Sequence, residues 1–522
     1  MPAYPPQHEA CIINSIRLSD INLYTIRLSH LYDDLATRLG ELEKDAPEVR
    51  ISRKIVEEAL KKGGAHYGIN TGFGGLANKR ISDSDLSQLQ QNLILSHAVG
   101  VGDPVPKDIT RLMLQLKIHA LAQGYSGVSE ETFRLLQAFA QKDLIPVVPS
   151  KGSLGASGDL APLAHLSLPL IGYGHFWDNE GITQLPAEQV MKKYGLEPIS
   201  LQAKDGLSLI NGTQLMSSYG AWVLEQSIRL QKTADIISAV SLEALQGSIT
   251  PFDERIHQIR PHTGQAIVSA NIRKLLQGSE ILDSHRHCGK VQDPYSLRCV
   301  PQVHGASRGA LKHASEVVET ELNSVTDNPL VFRNGDIVSG GNFHGQPLAY
   351  ALDYSAIALA ELGSISERRA YLLLEGHDGL PKLLMQHTGI NSGFMIPQYT
   401  SASLVSENKI LCHPASVDSI PSSLGQEDHV SMGSISATKL LQVFRNVEHI
   451  LSIELLTAVQ ALDFRRPLKP GRGVQLFHEF VRDHIPHAEQ DTYFKTYMEK
   501  SLELIQKADY IRLIEDELGE IL

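Results

Sequence analysis

Residues 434–466 contain neither glycine nor proline, and within them Leu440, Phe444, Val447, Leu451, Leu455, Ala458 and Leu462 recur at steps of three and four. That spacing puts the apolar side chains on one face of a long helix. Such a helix is stable only when other helices cover its apolar face, so the segment demands a bundle. Similar patterns run over residues 214–245, 306–321 and 348–362, the last just after Pro347, which suits a first helical turn. The expected fold is mainly α, with a long central helical bundle. Before residue 205 the pattern changes to shorter helices mixed with glycine- and proline-rich loops, and strand-like pieces such as 145–148 are brief. Two parts are therefore expected: a mixed N-terminal domain over 1–205, and a long-helix bundle with a C-terminal helical region over 206–522.

A chain of 522 residues buries a large core and has room for roughly two to four domains. Its 47 Lys and Arg face 59 Asp and Glu, and the resulting net charge of -12 is spread along the chain. A nucleic-acid-binding surface is not expected from such a balance. Four cysteines, Cys11, Cys288, Cys299 and Cys412, form no disulfide framework in a chain of this length, which points to a reducing, cytoplasmic setting. Residues 1–9 lack the basic and apolar regions of a secretory signal. The most apolar stretch, 160–173, is short and broken by Pro162, His165 and Pro169, so no membrane role is expected.

The chemistry-bearing feature lies in residues 149–164, where Ala156-Ser157-Gly158 can become an electrophile with no external cofactor. In a tight turn the Gly158 nitrogen can attack the Ala156 carbonyl carbon and close a five-membered ring. Glycine permits the approach because it has no Cβ and tolerates positive φ. Loss of the Ser157 hydroxyl then leaves an exocyclic methylene, giving a 4-methylideneimidazol-5-one. Such an electron-poor alkene draws electron density from a substrate amine, as a bound cofactor would. By itself Ala-Ser-Gly is usually only a turn. A serine-hydrolase elbow needs Gly-x-Ser-x-Gly, and Gly155-Ala156-Ser157-Gly158 brings its second glycine one position early. Residues 72–77 fit a Gly-x-Gly-x-x-Ala phosphate loop on paper, but Lys61, Lys62, Gly63 and Gly64 before them make a poor buried strand. His285, His287, Cys288 and Cys299 are soft-ligand types close in sequence; the doublet spacing of a zinc ribbon is absent, and no metal site is expected.

Tyr67-Gly68-Ile69-Asn70-Thr71-Gly72-Phe73-Gly74, the segment 152–160, Asn211-Gly212-Thr213, Tyr295-Ser296-Leu297-Arg298-Cys299, Thr326-Asp327-Asn328-Pro329, Gly340-Gly341-Asn342-Phe343 and Gln426-Glu427-Asp428-His429-Val430-Ser431 follow one another along the chain. In type and order these blocks resemble those of the aromatic amino-acid ammonia-lyases and aminomutases, and the resemblance covers nearly the whole sequence. It implies that Ala156, Ser157 and Gly158 form the ring autocatalytically. It further implies catalytic roles for Tyr67, Tyr295 and Glu427, and substrate binding by His97, Asn211, Gln292, Arg298, Asn328 and Phe343. Tyr67 would remove the substrate β-proton. With an ordinary pKa near ~10 its phenol needs neighbouring donors or positive charge to act as a base. The Arg298 fork would hold the substrate carboxylate. A homotetramer whose active sites draw on three subunits is implied as well.

Two places bear on which amino acid is used. Ser96-His97 puts a polar pair where phenylalanine-using members of the family show an apolar residue, which favours a polar ring without separating imidazole from phenol. Gln426-Glu427-Asp428-His429 resembles the members that deaminate histidine, whereas those acting on phenylalanine or tyrosine tend to carry an amide at the Glu427 position. A carboxylate can accept an imidazole N–H. Val291-Gln292-Asp293-Pro294-Tyr295 and the segment 337–344 also look histidine-type. The chain departs from that pattern at Gly425, where an asparagine is common, which questions how Glu427 is held. The expected activity is elimination of ammonia from L-histidine to give trans-urocanate. The alternative is a tyrosine ammonia-lyase or related aminomutase using the same electrophile. The fumarase and argininosuccinate lyase group uses comparable bundles without the ring, and Ala-Ser-Gly with Tyr67 argues against it. A helical scaffold without activity is the remaining alternative.

Overall fold

A computed structural model describes residues 25–62, 68–72, 81–286 and 289–522, Asp83 without its side chain. Five long helices build the centre: α1 (Gln214–Ala244), α2 (Thr263–Leu275), α3 (Val300–Leu322), α4 (Gln346–Leu374) and α5 (Gly433–Asp463). The heptad-like pattern around Leu440 and Phe444 accounts for α5, whose apolar face packs on α4 and α1; α3 covers the other side of α4, and α2 packs on α3. From Thr233 to Ala244 every residue of α1 is buried, as expected for a helix enclosed by neighbours on all sides. Charged groups inside the bundle are paired. Arg369 on α4 grips Glu454 on α5 with both fork nitrogens, at 2.6 and 2.8 Å. Asp235 on α1 meets His304 and Arg308 on α3, each at 2.7 Å. Pairs of this kind penalise any sliding of one helix past another, because a displaced partner leaves a charge unanswered.

The bundle is more extended than the sequence pattern predicts at one point and shorter at another. The 348–362 run continues to Leu374, straight through Gly363, where an added Cβ would lie 3.1 Å from Ile450 and 3.2 Å from Val447 of α5. Glycine here serves the packing between helices and does not end one. At the other end α5 stops at Asp463, ahead of Pro467, whose ring disfavours helix in the residue before it.

Among the described residues, the region before 205 has shorter helices with two small antiparallel ladders, Val101–Pro104 with Pro149–Lys151 and His175–Trp177 with Gln184–Pro186; a third joins Leu330–Val331 to Ile337–Val338. Residues 145–148 do not form a regular strand. Pro146 lacks an N–H and makes only an isolated bridge to Phe176. One continuous apolar core includes Leu112, Phe133 and Phe176 from this region and Leu352, Leu440 and Phe444 from the bundle. Among the described residues one helix, α4, is long and apolar enough to cross a membrane, and 67% of its apolar window is buried against the other helices.

Candidate active site

The loop that carries Ala156-Ser157-Gly158 enters from the strand Pro149–Lys151 and leaves into the helix Leu160–Ser167. Gly158 has φ +74°, in the left-handed region, and a Cβ there would run into the Gly212 carbonyl oxygen. Only glycine fits. Gly158 and Gly212 therefore meet backbone to backbone: the Asp159 N–H donates to the Gly212 carbonyl at 2.7 Å, and the Gly212 N–H points at the Ser157 carbonyl at 3.5 Å. The other side of the loop is held by the approach to α5. There the Met432 N–H donates to Leu154 O at 2.9 Å, Ser431 Oγ to Gly155 O at 3.2 Å and Ser434 Oγ to Ser153 O at 2.6 Å.

Asp159 is fully buried. Its Oδ2 accepts the N–H groups of Leu215 and Met216 at 3.0 and 3.1 Å, satisfying donors in the first turn of α1, and its Oδ1 accepts from Ser153 Oγ at 3.1 Å. Burial nonetheless pushes its carboxyl up to about 7, against the pull of those donors.

Ser157 Oγ donates to Glu427 Oε1 at 3.0 Å, across 270 positions of sequence, while Glu427 Oε2 accepts from Ser422 Oγ at 2.8 Å. Residues 422 and 427 also pair through their backbones around a turn in which Gly425 takes φ +85°. Glycine is at ease in that conformation, and asparagine is among the few other residues that tolerate it. The departure at position 425 thus leaves the anchoring of Glu427 intact. His97, the last residue of the helix Leu86–His97, has Nδ1 2.8 Å from the Leu93 carbonyl. A carbonyl only accepts, so Nδ1 carries the proton and Nε2 of the neutral ring is left as an acceptor. Burial lowers the His97 pKa below its ordinary value, with the Glu427 charge pulling the other way.

Asn211 follows the short helix Asp205–Ile210; its Nδ2 donates to Asn328 O at 2.9 Å, and among the described residues its buried Oδ1 has no partner. Asn328 Oδ1 in turn accepts the Gly340 N–H at 2.8 Å.

A cavity of about 1120 Å³ gathers Ala156, Ser157, His97, Asn211, Asn328, Phe343 and Glu427, with His344 and His429 stacked beside it at 5.5 Å between ring centroids. Asn211 lies just ahead of α1, and Phe343 and His344 lie just ahead of α4. Tyr67 lies outside the described residues, as do Phe73, Gly74, His287 and Cys288; Gly72, from the same sequence block as Tyr67, lines the cavity.

Three of the expected residues are elsewhere. Gln292 and Arg298 line a second cavity of about 920 Å³, and Tyr295 is 71% exposed with the Arg298 guanidinium 4.5 Å from its ring centroid. The short helix Tyr295–Arg298 touches α4 near Arg369, whose Nη1 lies 3.5 Å from Ser296 O. Phe343 lies just ahead of the first turn of α4, so the two groups of residues are separated by most of that helix, roughly 35 Å at 1.5 Å per residue. His285 sets its ring nitrogens 2.7 and 3.1 Å from the carbonyls of Ile281 and Gly247, and among the described residues no cluster of three or more His, Cys, Asp or Glu could hold a metal ion.

Sequence reasoning overlooked Ser422, which fixes Glu427, and the buried charges Asp159 and Lys117. Asp159 carried a signal, a carboxylate leading straight into the apolar run Leu160 to Ala164; Lys117 carried none, since Gln115 and His119 make the stretch around it read as an ordinary mixed helix.

The model of the family described as aromatic amino acid lyase matches residues 36–483. A histidine ammonia-lyase of Sorangium cellulosum is 51% identical over 481 residues, covering 90% of this chain and 93% of that protein. Among solved structures, a histidine ammonia-lyase from Trypanosoma cruzi superposes with a TM-score of 0.83 at 40% identity, covering 90% of this chain and 89% of that one. A tyrosine aminomutase from Streptomyces globisporus superposes with a TM-score of 0.86 at 34% identity, over 94% and 97%. Matched along most of its length by the family model and by relatives of known structure, this chain belongs to the aromatic amino acid lyase family.

Proposed function

We infer that this chain is a carbon–nitrogen lyase that eliminates ammonia from L-histidine to give trans-urocanate. The observation that carries the substrate assignment is Glu427: a carboxylate bonded to Ser157, inside the cavity and close enough to His97 to act on its charge. It can accept an imidazole N–H, while a phenyl ring would leave it desolvated and unpaired. The histidine ammonia-lyases among its relatives support the same reading.

The loop fits an electrophile made from Ala156, Ser157 and Gly158. The backbone at Gly158 excludes any side chain, Ser157 presents its hydroxyl to the cavity, and Asn211 Oδ1 waits there for a donor. Attack of the Gly158 nitrogen on the Ala156 carbonyl carbon forms the new bond. One water leaves with the Ala156 oxygen and the N–H hydrogens of Gly158 and Ser157. A second leaves with the Ser157 hydroxyl and its Cα hydrogen. The resulting 4-methylideneimidazol-5-one supplies the electron demand that turns the substrate amine into a leaving group. Around it, Tyr67 takes the β-proton, Asn211 orients the amino group, and His97 with Glu427 holds the imidazole.

The carboxylate clamp, Arg298, with Gln292 and Tyr295, sits at the far end of the bundle within one chain. We therefore propose that these three reach the site from a neighbouring copy, in a cytoplasmic homotetramer whose sites draw on three subunits. Incubating the protein with histidine, tyrosine and phenylalanine and following the absorbance of the conjugated product tests the assignment. Histidine is expected to give the highest kcat/KM by a wide margin; a higher value for tyrosine overturns it in favour of a tyrosine ammonia-lyase or aminomutase.

A further inference from the structure

Lys117 takes no part in the chemistry described above. It lies in the helix Lys107–Ala122, between Leu116 and Ile118, and its side chain is buried. Its ammonium donates to the backbone carbonyl of Asn211 at 2.7 Å. The carboxylates whose charge reaches it are engaged elsewhere. Asp327 pairs with Lys204 at 2.9 Å, and Asp159 is occupied by the first turn of α1 and by Ser153. Burial accordingly lowers the Lys117 pKa to about 7, with Asp327 and Asp159 pulling it up and Lys204 pushing it down. A buried ammonium answered by a neutral carbonyl costs stability that an apolar residue of similar length would not. What the ammonium secures is the position of that carbonyl.

The Asn211 carbonyl is one end of the Asn211–Gly212 peptide. The other end is the Gly212 N–H, directed at the Ser157 carbonyl at 3.5 Å, and the Gly212 carbonyl takes the Asp159 N–H at 2.7 Å. These contacts bracket Gly158, and no side chain from either glycine steadies them. Their orientation depends on how Asn211 is held, by Asn328 O on its side chain and by Lys117 on its backbone. A charged donor on the Asn211 oxygen also polarises that peptide and strengthens its N–H as a donor. Aimed at the Ser157 carbonyl, this N–H draws density from it. The Gly158 N–H and the Ser157 Cα–H flank that carbonyl, and both must be lost in forming the ring.

We propose that Lys117 is a positioning residue for ring closure, acting through the Asn211–Gly212 peptide on Ser157 and Gly158. The inference rests on the ring-forming reading of Ala156-Ser157-Gly158. Lys117 gives up no atom in the process: one bond forms between Gly158 N and Ala156 C, two waters leave as described above, and the ammonium is unchanged.

The test is the intact mass of folded, full-length protein for the wild type, Lys117→Met and Lys117→Gln, with oligomer size and thermal melting measured alongside. Wild type is expected two water masses below its sequence mass. Lys117→Met keeps the length and loses the donor, and its dehydrated fraction should fall roughly tenfold or more, as befits the loss of a hydrogen bond from a charged donor. Lys117→Gln keeps an N–H for the Asn211 carbonyl and should recover part of the loss. Complete dehydration in Lys117→Met, or no recovery in Lys117→Gln, overturns the proposal. If neither variant folds, Lys117 serves stability alone and the proposal is equally overturned. A wild type at its full unmodified mass sinks the ring itself, an outcome distinct from the others.

Discussion

At the scale of single residues, the Ser157–Glu427 contact joins the group to be modified to the group proposed to choose the substrate. Ser157→Ala should fold, because alanine fits a turn of small residues, yet no methylene can form without the hydroxyl. Its mass should stay above that of the wild type and its lyase activity should vanish; retained turnover in this variant ends the ring hypothesis. Glu427→Gln preserves volume and hydrogen bonding to Ser422 while removing charge, so dehydration should proceed and kcat/KM for histidine should drop by roughly 10²-fold, the scale of a lost charged group in a catalytic site. Steady-state kinetics beside a mass spectrum separates the two effects, and an unchanged kcat/KM would show that imidazole recognition lies elsewhere. Both residues were legible in the sequence because each sits in a short block of recognisable chemistry. Their contact was not, since a separation of 270 positions gives no hint of distance. Lys117 escaped notice for the opposite reason: it has no motif around it, and only its burial against a backbone carbonyl sets it apart.

At the scale of elements, helix periodicity predicted the bundle well because a long apolar stripe has few ways to be buried. The misjudged end of α4 shows where the pattern fails. Glycine reads as a helix end when its neighbours in space are unknown, but Gly363 is what lets α4 approach Val447 and Ile450. Gly363→Leu should therefore destabilise the protein despite better helix propensity: overpacking costs about 1–3 kcal/mol, more than the ~1 kcal/mol that a glycine forfeits in a helix. A lower melting temperature, with helical content retained, is the expected result; a melt at or above the wild-type value would mean that the two helices have slack. The gathering of His97, Ser157, Asn211, Phe343 and Glu427 around one cavity was likewise invisible in periodicity, which describes each helix along its own axis.

At the scale of the whole molecule, the separation of Arg298 from Ser157 along α4 is the main structural fact that the sequence could not supply, because order along a chain does not say which copy of a residue completes a site. The proposed assembly predicts complementation. Ser157→Ala and Arg298→Ala chains, each inactive alone, should regain activity when unfolded and refolded together, since some sites then combine an intact Ser157 from one chain with an intact Arg298 from another. Random mixing in equal amounts should restore about one quarter of wild-type activity if two chains supply these residues. No gain over the separate parents would place both residues in one chain's site and contradict the shared arrangement.

The loop that carries Ala156-Ser157-Gly158 is gripped from two sides by segments far apart in the chain, Asn211 to Met216 on one and Ser431 to Ser434 on the other. On the ring-forming reading, a nascent chain that has emerged only as far as residue 430 carries the three reacting residues with only the first half of that grip. The protein would stay chemically harmless while it is being made, and acquire its reactive alkene only once the last helix of the bundle has docked. Dehydration is then a permanent record that a given molecule once reached its native fold, readable in its mass long after it has been unfolded again.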